Sequence, residues 1–302
     1  MPHQEKEISK LPKQEDGNGC LLHFSGGVRA SKQSDNTWAI LPILNNQNPS
    51  ILGKFDQKQI ETFARETSLL AVGIQRYGRH EGIYHSNFYP ILPDQRSNLE
   101  APSDLWGNIA TNITQQRCGD KLRNLDQPTE REIAQILDNQ GNEENFANAI
   151  SLSLRSMDFH AERISEFYYD RLMSHMHRSL IQKEKSGGVG DQELYAHVHS
   201  FFLHLGTARD YLGAIIAAGL GKNPKINSMA KLLTKVDAVA LNSDQLIEVL
   251  KNLGFVDNNG SENDKFNIAG WLKEVSDQRN TLVHERPYGC LLYTSPSPRD
   301  RG

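Results

Sequence analysis

From about Asn142 onward the apolar positions fall on Ile150, Leu154, Met157, Ala161, Ile164, Tyr168 and Leu172, mainly in alternating steps of four and three residues. That spacing draws one stripe along an α-helix. Glu143 and Glu144 stand where a helix start favours negative charge. One long helix is therefore predicted, ending before Gly187-Gly188. Leu194, Val198, Phe201, Leu205, Ala208, Leu212 and Ile215 repeat the same steps, and Gly219 and Gly221 stop them, which predicts a second long helix packed on the first. Met229, Leu232, Leu233 and Val236 mark a third element, and Ser243 is placed to cap a short helix carrying Leu246, Ile247 and Leu250 up to Gly254. After a polar loop from Asp257 to Asp264 with an Asn-Gly turn, Ile268, Leu272, Val275 and Leu282 mark a last helix, closed by Pro287. Long helices with short connections predict a mainly α fold, with an up-and-down helical bundle in the C-terminal half.

The N-terminal half is mixed. Residues 1–19 lack apolar periodicity and read as a solvated, disordered arm. Trp38 to Leu44 resembles a strand that Pro42 demotes to an edge or an irregular segment. Phe55 to Ile74 carries Ile60, Phe63, Leu69 and Leu70 at mainly helical spacing, with Gly78 as a later stop, while Tyr84 to Leu92 is aromatic and extended. Pro90, Pro93 and Pro102 punctuate the loop beyond it, and Thr129-Glu130-Arg131-Glu132 forms a capping box for a short helix to Leu137. The organisation expected is an arm over 1–19, a mixed region of unknown role over 20–140, the helical bundle over 141–289, and a tail over 290–302. The tail, Cys290-Leu291-Leu292-Tyr293-Thr294-Ser295-Pro296-Ser297-Pro298-Arg299-Asp300, resembles the in-frame translation of a sequencing adapter; a natural Ser/Pro-rich segment is the alternative. On the adapter reading the natural chain continues beyond about Gly289.

Composition narrows the function classes. The 302-residue chain has a mean hydropathy of −0.57 and no apolar run long enough to span a bilayer, so no membrane association is expected. The first nineteen residues lack the apolar stretch of a secretory signal, and Cys20, Cys118 and Cys290 show neither disulfide nor zinc spacing, which points to the reducing cytoplasm. A net charge of −4 gives no general pull on polyanions, so a nucleic acid would have to be held by a few local cations. His160, His175, His177, His197, His199 and His204 are frequent in the bundle, but only His197 and His204 share a face and no carboxylate or Cys motif completes a metal set. Neither metal nor cofactor is expected. Ser25-Gly26-Gly27 lacks the Lys-Ser/Thr of a phosphate loop, and Arg209-Asp210 reads as a surface or inter-helix ion pair.

One motif carries chemistry. On the last helix the apolar stripe Ile268, Leu272, Val275 steps next onto Arg279 before Leu282 resumes it, so a guanidinium stands at a core position. Snorkelling or pairing with a buried carboxylate would explain an isolated case. Here Asn280 and His284 lie four residues apart on one helical face within reach of the same arm, at the negative end of the helix dipole. Arginine presents a planar set of donors to phosphate oxygens, and histidine titrates near neutrality and can move the proton of a ribose hydroxyl.

Arg279, Asn280 and His284, followed by the helix end, resemble the motif of the HEPN superfamily, and Phe201 to Tyr211 resembles the second long helix of its bundles. The resemblance covers about half of the chain. It implies catalytic Arg279 and His284, with Asn280 as their polar partner, in a metal-independent endoribonuclease (an RNA-binding hydrolase) acting in phage defence, toxin-antitoxin pairs or stress response. It further implies a homodimer whose two motifs share one cleft around an RNA substrate, with an antitoxin or a nucleotidyltransferase as partner. The alternative is a non-catalytic HEPN-like module for helical dimerisation or for binding a small anion or nucleotide.

Overall fold

The computed structural model describes residues 19–41, 54–81, 83–91, 101–177, 189–222, 225–258 and 265–282. The chain is mostly helical, with an antiparallel sheet in its N-terminal region. It divides into two compact units, residues 1–97 with 162–186 and residues 98–161 with 187–302.

The first unit contains a six-stranded antiparallel sheet. Its strands are β1 (Gly19–Phe24), β2 (Arg29–Lys32), β3 (Trp38–Leu41), β4 (Lys54–Phe55), β5 (Ala71–His80) and β6 (Ile83–Pro90), in the order β4-β3-β2-β1-β5-β6. Ser25–Gly27 forms the tight turn between β1 and β2. Pairing of Leu22 with Ala30 and of Ala30 with Ile40 puts these three on one face, where they join Phe24, Val28 and Ile60 in an apolar core. Ile60 belongs to α1 (Gln57–Glu66), which Asp56 opens by accepting from the Gln59 N–H at 2.8 Å while Gln59 accepts from the Asp56 N–H.

The helix predicted over Phe55 to Ile74 is thus shorter, and its last residues enter β5. Gly73 and Gln75, not apolar side chains, are the buried positions there, while Leu70 and Val72, which alternate with them, are exposed. The strand from Trp38 ends at Leu41; Pro42 lies outside the described residues.

On the face carrying His23 and Gln75 the sheet meets a helix through polar groups. α4 (Asn142–His177) sends Glu162 and Ser165 into this layer, and both are buried. Gln75 donates its amide N–H groups to Glu162 at 2.6 Å and to Ser86 at 2.9 Å, so its oxygen faces His23 Nε2 at 2.9 Å. His23 therefore donates from Nε2 and accepts the Ser165 hydroxyl at Nδ1, 2.8 Å away, as a neutral ring. Burial, then the Arg29 guanidinium, pushes its pKa down from 6.5 to about 4. The unfolded chain takes up this proton below pH 6.5 and the folded chain only near 4, so stability falls as pH drops through that window. Chemical denaturation at pH 7 and pH 5 should show that loss in the wild-type protein and a smaller one in His23→Gln; equal losses would contradict the assignment.

The second unit is helical. α2 (Pro102–Arg123) starts with proline at its first position, where a missing N–H costs nothing. α3 (Glu130–Asp138) is opened by the predicted capping box, Thr129 and Glu132 exchanging hydrogen bonds. α2 and the first part of α4 run antiparallel: Ser151 donates to the Ser103 carbonyl at 2.7 Å, Arg155 pairs with Asp104 at 3.0 Å, and Thr114 and Arg117 reach Glu144 at 2.6 and 3.0 Å. α5 (Val189–Gly219) is the second predicted long helix, antiparallel to α4 as judged by the Phe146–Tyr211 and His160–His204 ring contacts.

The C-terminal part of α5 joins α6 (Met229–Lys235), α7 (Ala238–Asn242) and α8 (Gln245–Asn252) in an apolar core around Ile216, Met229, Leu232, Leu241 and Ile247. Asp244, one residue after the expected Ser243, caps α8 by accepting from the N–H groups of Leu246 and Ile247. β7 (Val256–Asp257) and β8 (Asn267–Ile268) frame the polar loop as a short ladder, so Ile268 precedes α9 (Gly270–Asn280) rather than lying on it.

Gly213 lets α5 reach the start of α6, since a Cβ there would stand 2.5 Å from the Met229 nitrogen and 2.6 Å from its Cα. Backbone cannot yield as a flexible side chain can. Gly213→Ala should therefore cost about 1–3 kcal/mol, although alanine is the better helix former by about 1 kcal/mol. Urea unfolding is the check, and an unchanged midpoint would contradict the close approach.

Among the described residues no helix is long and apolar enough to cross a membrane.

Candidate functional site

α9 buries Leu272 and Val275, and Leu282 is buried just beyond its end. Arg279 occupies the step between them, half-buried, as the apolar stripe implied. Its side chain lies directly on α5. A Cβ on Gly206 would stand 2.6 Å from both Cδ and Nε of Arg279, so glycine lets the guanidinium arm lie in this position, which a larger residue would make it leave. The Arg279 Nε is buried and has no hydrogen-bond partner among the described residues. Placement in the last turn of α9 suits a cation, because the terminal carbonyls there carry partial negative charge.

One turn earlier a second guanidinium ties the same two helices together. Arg209 on α5 donates through Nη1 to the Ser276 hydroxyl, and Ser276 donates in turn to the Leu272 carbonyl at 2.6 Å. The Nε and Nη2 of Arg209 are held by Asp210 Oδ1 at 3.2 and 3.0 Å. The contrast with Arg279 is chemical. Arg209 has all three of its nitrogens engaged, and so has Arg117, which donates to Glu144 through Nε and Nη2 and to the Ile136 carbonyl through Nη1. Arg279 keeps a buried donor unspent, a situation that costs about 1–3 kcal/mol in a protein interior unless something accepts it.

Of the three residues singled out from the sequence, Arg279 therefore points into the α5–α9 seam and Asn280 is exposed beside it. His284 lies outside the described residues, as does the segment from 290 to 302. The contacts that sequence reasoning missed are Gly206 and Ser276. Gly206 did carry a signal, as a glycine inside an otherwise regular helical stripe, where close approach is the usual reason.

Elsewhere in this unit His160, His197 and His204 meet between α4 and α5, but no group of three or more His, Cys, Asp or Glu side chains among the described residues is arranged to hold a metal ion. A cavity of about 470 Å³ is lined by Phe146, Ala214, Ala217, Arg117, Glu144 and Lys222, among others, and is large enough for a small molecule. In the first unit Ser25-Gly26-Gly27 is occupied as a turn, with the Ser25 hydroxyl accepting from the Leu70 N–H at 3.0 Å. No protein-family model, no curated protein and no solved structure matches this chain.

Proposed function

We propose that the second unit is a metal-independent endoribonuclease of the HEPN type, acting in the cytoplasm as a homodimer, with Arg279, Asn280 and His284 at its centre. The observation that carries the reading is the Nε of Arg279, buried and without a hydrogen-bond partner among the described residues, laid against Gly206 of α5, while Arg209 between the same two helices spends all three of its nitrogens on protein groups. A guanidinium with a donor to spare suits an oxyanion, and charge accumulates on phosphate oxygens during in-line attack. His284 supplies the proton carrier: it takes the ribose 2′-hydroxyl proton as the oxygen attacks phosphorus and the P–O5′ bond breaks, and the departing 5′-oxygen takes a proton from water, leaving a 2′,3′-cyclic phosphate and a 5′-hydroxyl. The antiparallel runs of α2, α4 and α5, and of α5 and α9, support an up-and-down bundle as the frame. Trp271, 53% exposed at the start of α9, supports a dimer through that helix.

The test is incubation of the full chain with single-stranded and hairpin RNA in EDTA, with end-group analysis of the products. Fragments bearing 2′,3′-cyclic phosphate are expected. An intact substrate pool, together with saturable binding of inorganic phosphate or a nucleotide that Arg279→Ala abolishes, would favour the anion-binding module instead.

A further inference from the structure

Three histidines that the proposed reaction does not use come together between α4 and α5. His160 Nδ1 lies 3.0 Å from His197 Nδ1, and the ring centroids are 5.2 Å apart. His204, seven residues after His197 on the same face of α5, stacks on His160 at 5.6 Å with planes only 21° apart. Phe159 packs edge-on against both His160 and His197. All three imidazoles are half-buried.

A nitrogen–nitrogen contact of 3.0 Å attracts only when one atom carries hydrogen and the other is bare. Glu193 Oε1 lies 3.8 Å from His197 Nε2 and favours hydrogen on that nitrogen, which leaves the His197 Nδ1 bare. His160 then donates from Nδ1 and keeps its own Nε2 free. A first proton enters at that Nε2 without disturbing the contact. A second must take the bare Nδ1 of His197, and then two donors on two cations face each other. Burial, then the His197 and His204 imidazoles, already hold the His160 pKa below its ordinary value. Among the described residues, the charged groups facing the cluster are Glu193 on α5, 74% exposed and therefore screened, and the imidazoles themselves.

We propose that His160, His197 and His204 form an acid-sensitive latch that holds α4 against α5 near neutral pH and releases the pair when His160 and His197 are both protonated. The latch is independent of RNA cleavage. It makes the pairing of α4 with α5 a function of pH, because the opened state binds a proton that the closed contact excludes.

The experiment is a pH titration of the full chain from 8 to 4, following imidazole signals by NMR and amide hydrogen exchange corrected for its intrinsic pH dependence. His160 and His197 should titrate as a coupled pair in two steps. Across the second step, protection of α4 and α5 amides around residues 157–161 and 197–204 should fall by about tenfold per pH unit. His160→Phe keeps an aromatic ring against His204 and should remove both the second step and the pH-dependent loss of protection. Asp158→Asn, which removes a carboxyl that burial and Asp104 push up to about 7, should leave both in place. Independent titration of His160 and His197 in the wild-type protein, or protection of these amides that is the same at both ends of the second step, would overturn the latch, whatever the variants do.

Discussion

Replacing His284 with alanine should slow RNA cleavage in EDTA by about a hundred- to ten-thousand-fold, the range that one general acid-base group supplies. Far-UV circular dichroism should not change, which separates a lost proton carrier from a lost fold. Arg279→Lys should be impaired as well, for a reason visible at Gly206. The arginine arm lies against α5 at Gly206 with Nε buried, and a lysine in the same place offers one mobile ammonium in place of a planar fork. An unfolded Arg279→Lys would be uninformative by itself, so its urea midpoint should be measured alongside its rate. A His284→Ala protein that cuts RNA as fast as the wild type would remove histidine from the mechanism. The HEPN-type endoribonuclease would then give way to the binding module.

How much of this was legible beforehand depends on whether the buried side chains are apolar. α5 was read from Leu194 to Ile215 because its core positions are hydrocarbons in regular steps. The start of α3 was read from Thr129 and Glu132 because capping is a local exchange of hydrogen bonds. α2 escaped notice because the positions it buries, Ser103, Ala110 and Cys118, are small or polar and give no large apolar side chain to mark their face. The second half of α4 was found as a helix, and Leu172 of its stripe packs against the core around Phe24, Ile40 and Ile60, but much of the inward face is polar. Tyr168 of the expected stripe is exposed, whereas Glu162 and Ser165 are buried, since the sheet receives them with His23 and Gln75. β7 and β8 are two residues each, below what any periodicity can register. At the candidate site Arg279 was conspicuous as a cation on an apolar step. Its contact with Gly206 and the link from Arg209 to Ser276 join residues more than sixty positions apart, and such pairings exist only once the helices have packed.

The largest expected loss of stability from one substitution is at Glu144, whose side chain is 2% exposed between α2 and α4. It accepts from the Thr114 hydroxyl at 2.6 Å and from Arg117 Nε at 3.0 Å, with the Gly141 N–H as a further donor. Burial alone would raise the pKa of this carboxyl, but the bonds from Thr114 and Arg117 outweigh it and the net shift is downward. A depressed carboxylate stabilises the fold above its unfolded pKa of 4.5, and that contribution disappears as pH falls below 4.5 through the folded value. Glu144→Ala strands the Arg117 guanidinium, only 15% exposed, beside an empty space, and breaking a buried pair from one side costs about 3–5 kcal/mol. Glu144→Gln keeps the volume and one acceptor, and should lose less. Arg117→Met combined with Glu144→Leu removes both charges, so the double variant should recover much of the loss. Equilibrium unfolding in urea at pH 7 decides among these outcomes. A Glu144→Ala variant within about 1 kcal/mol of wild type, the scale of a surface ion pair, would show that the pair does not hold α2 to α4.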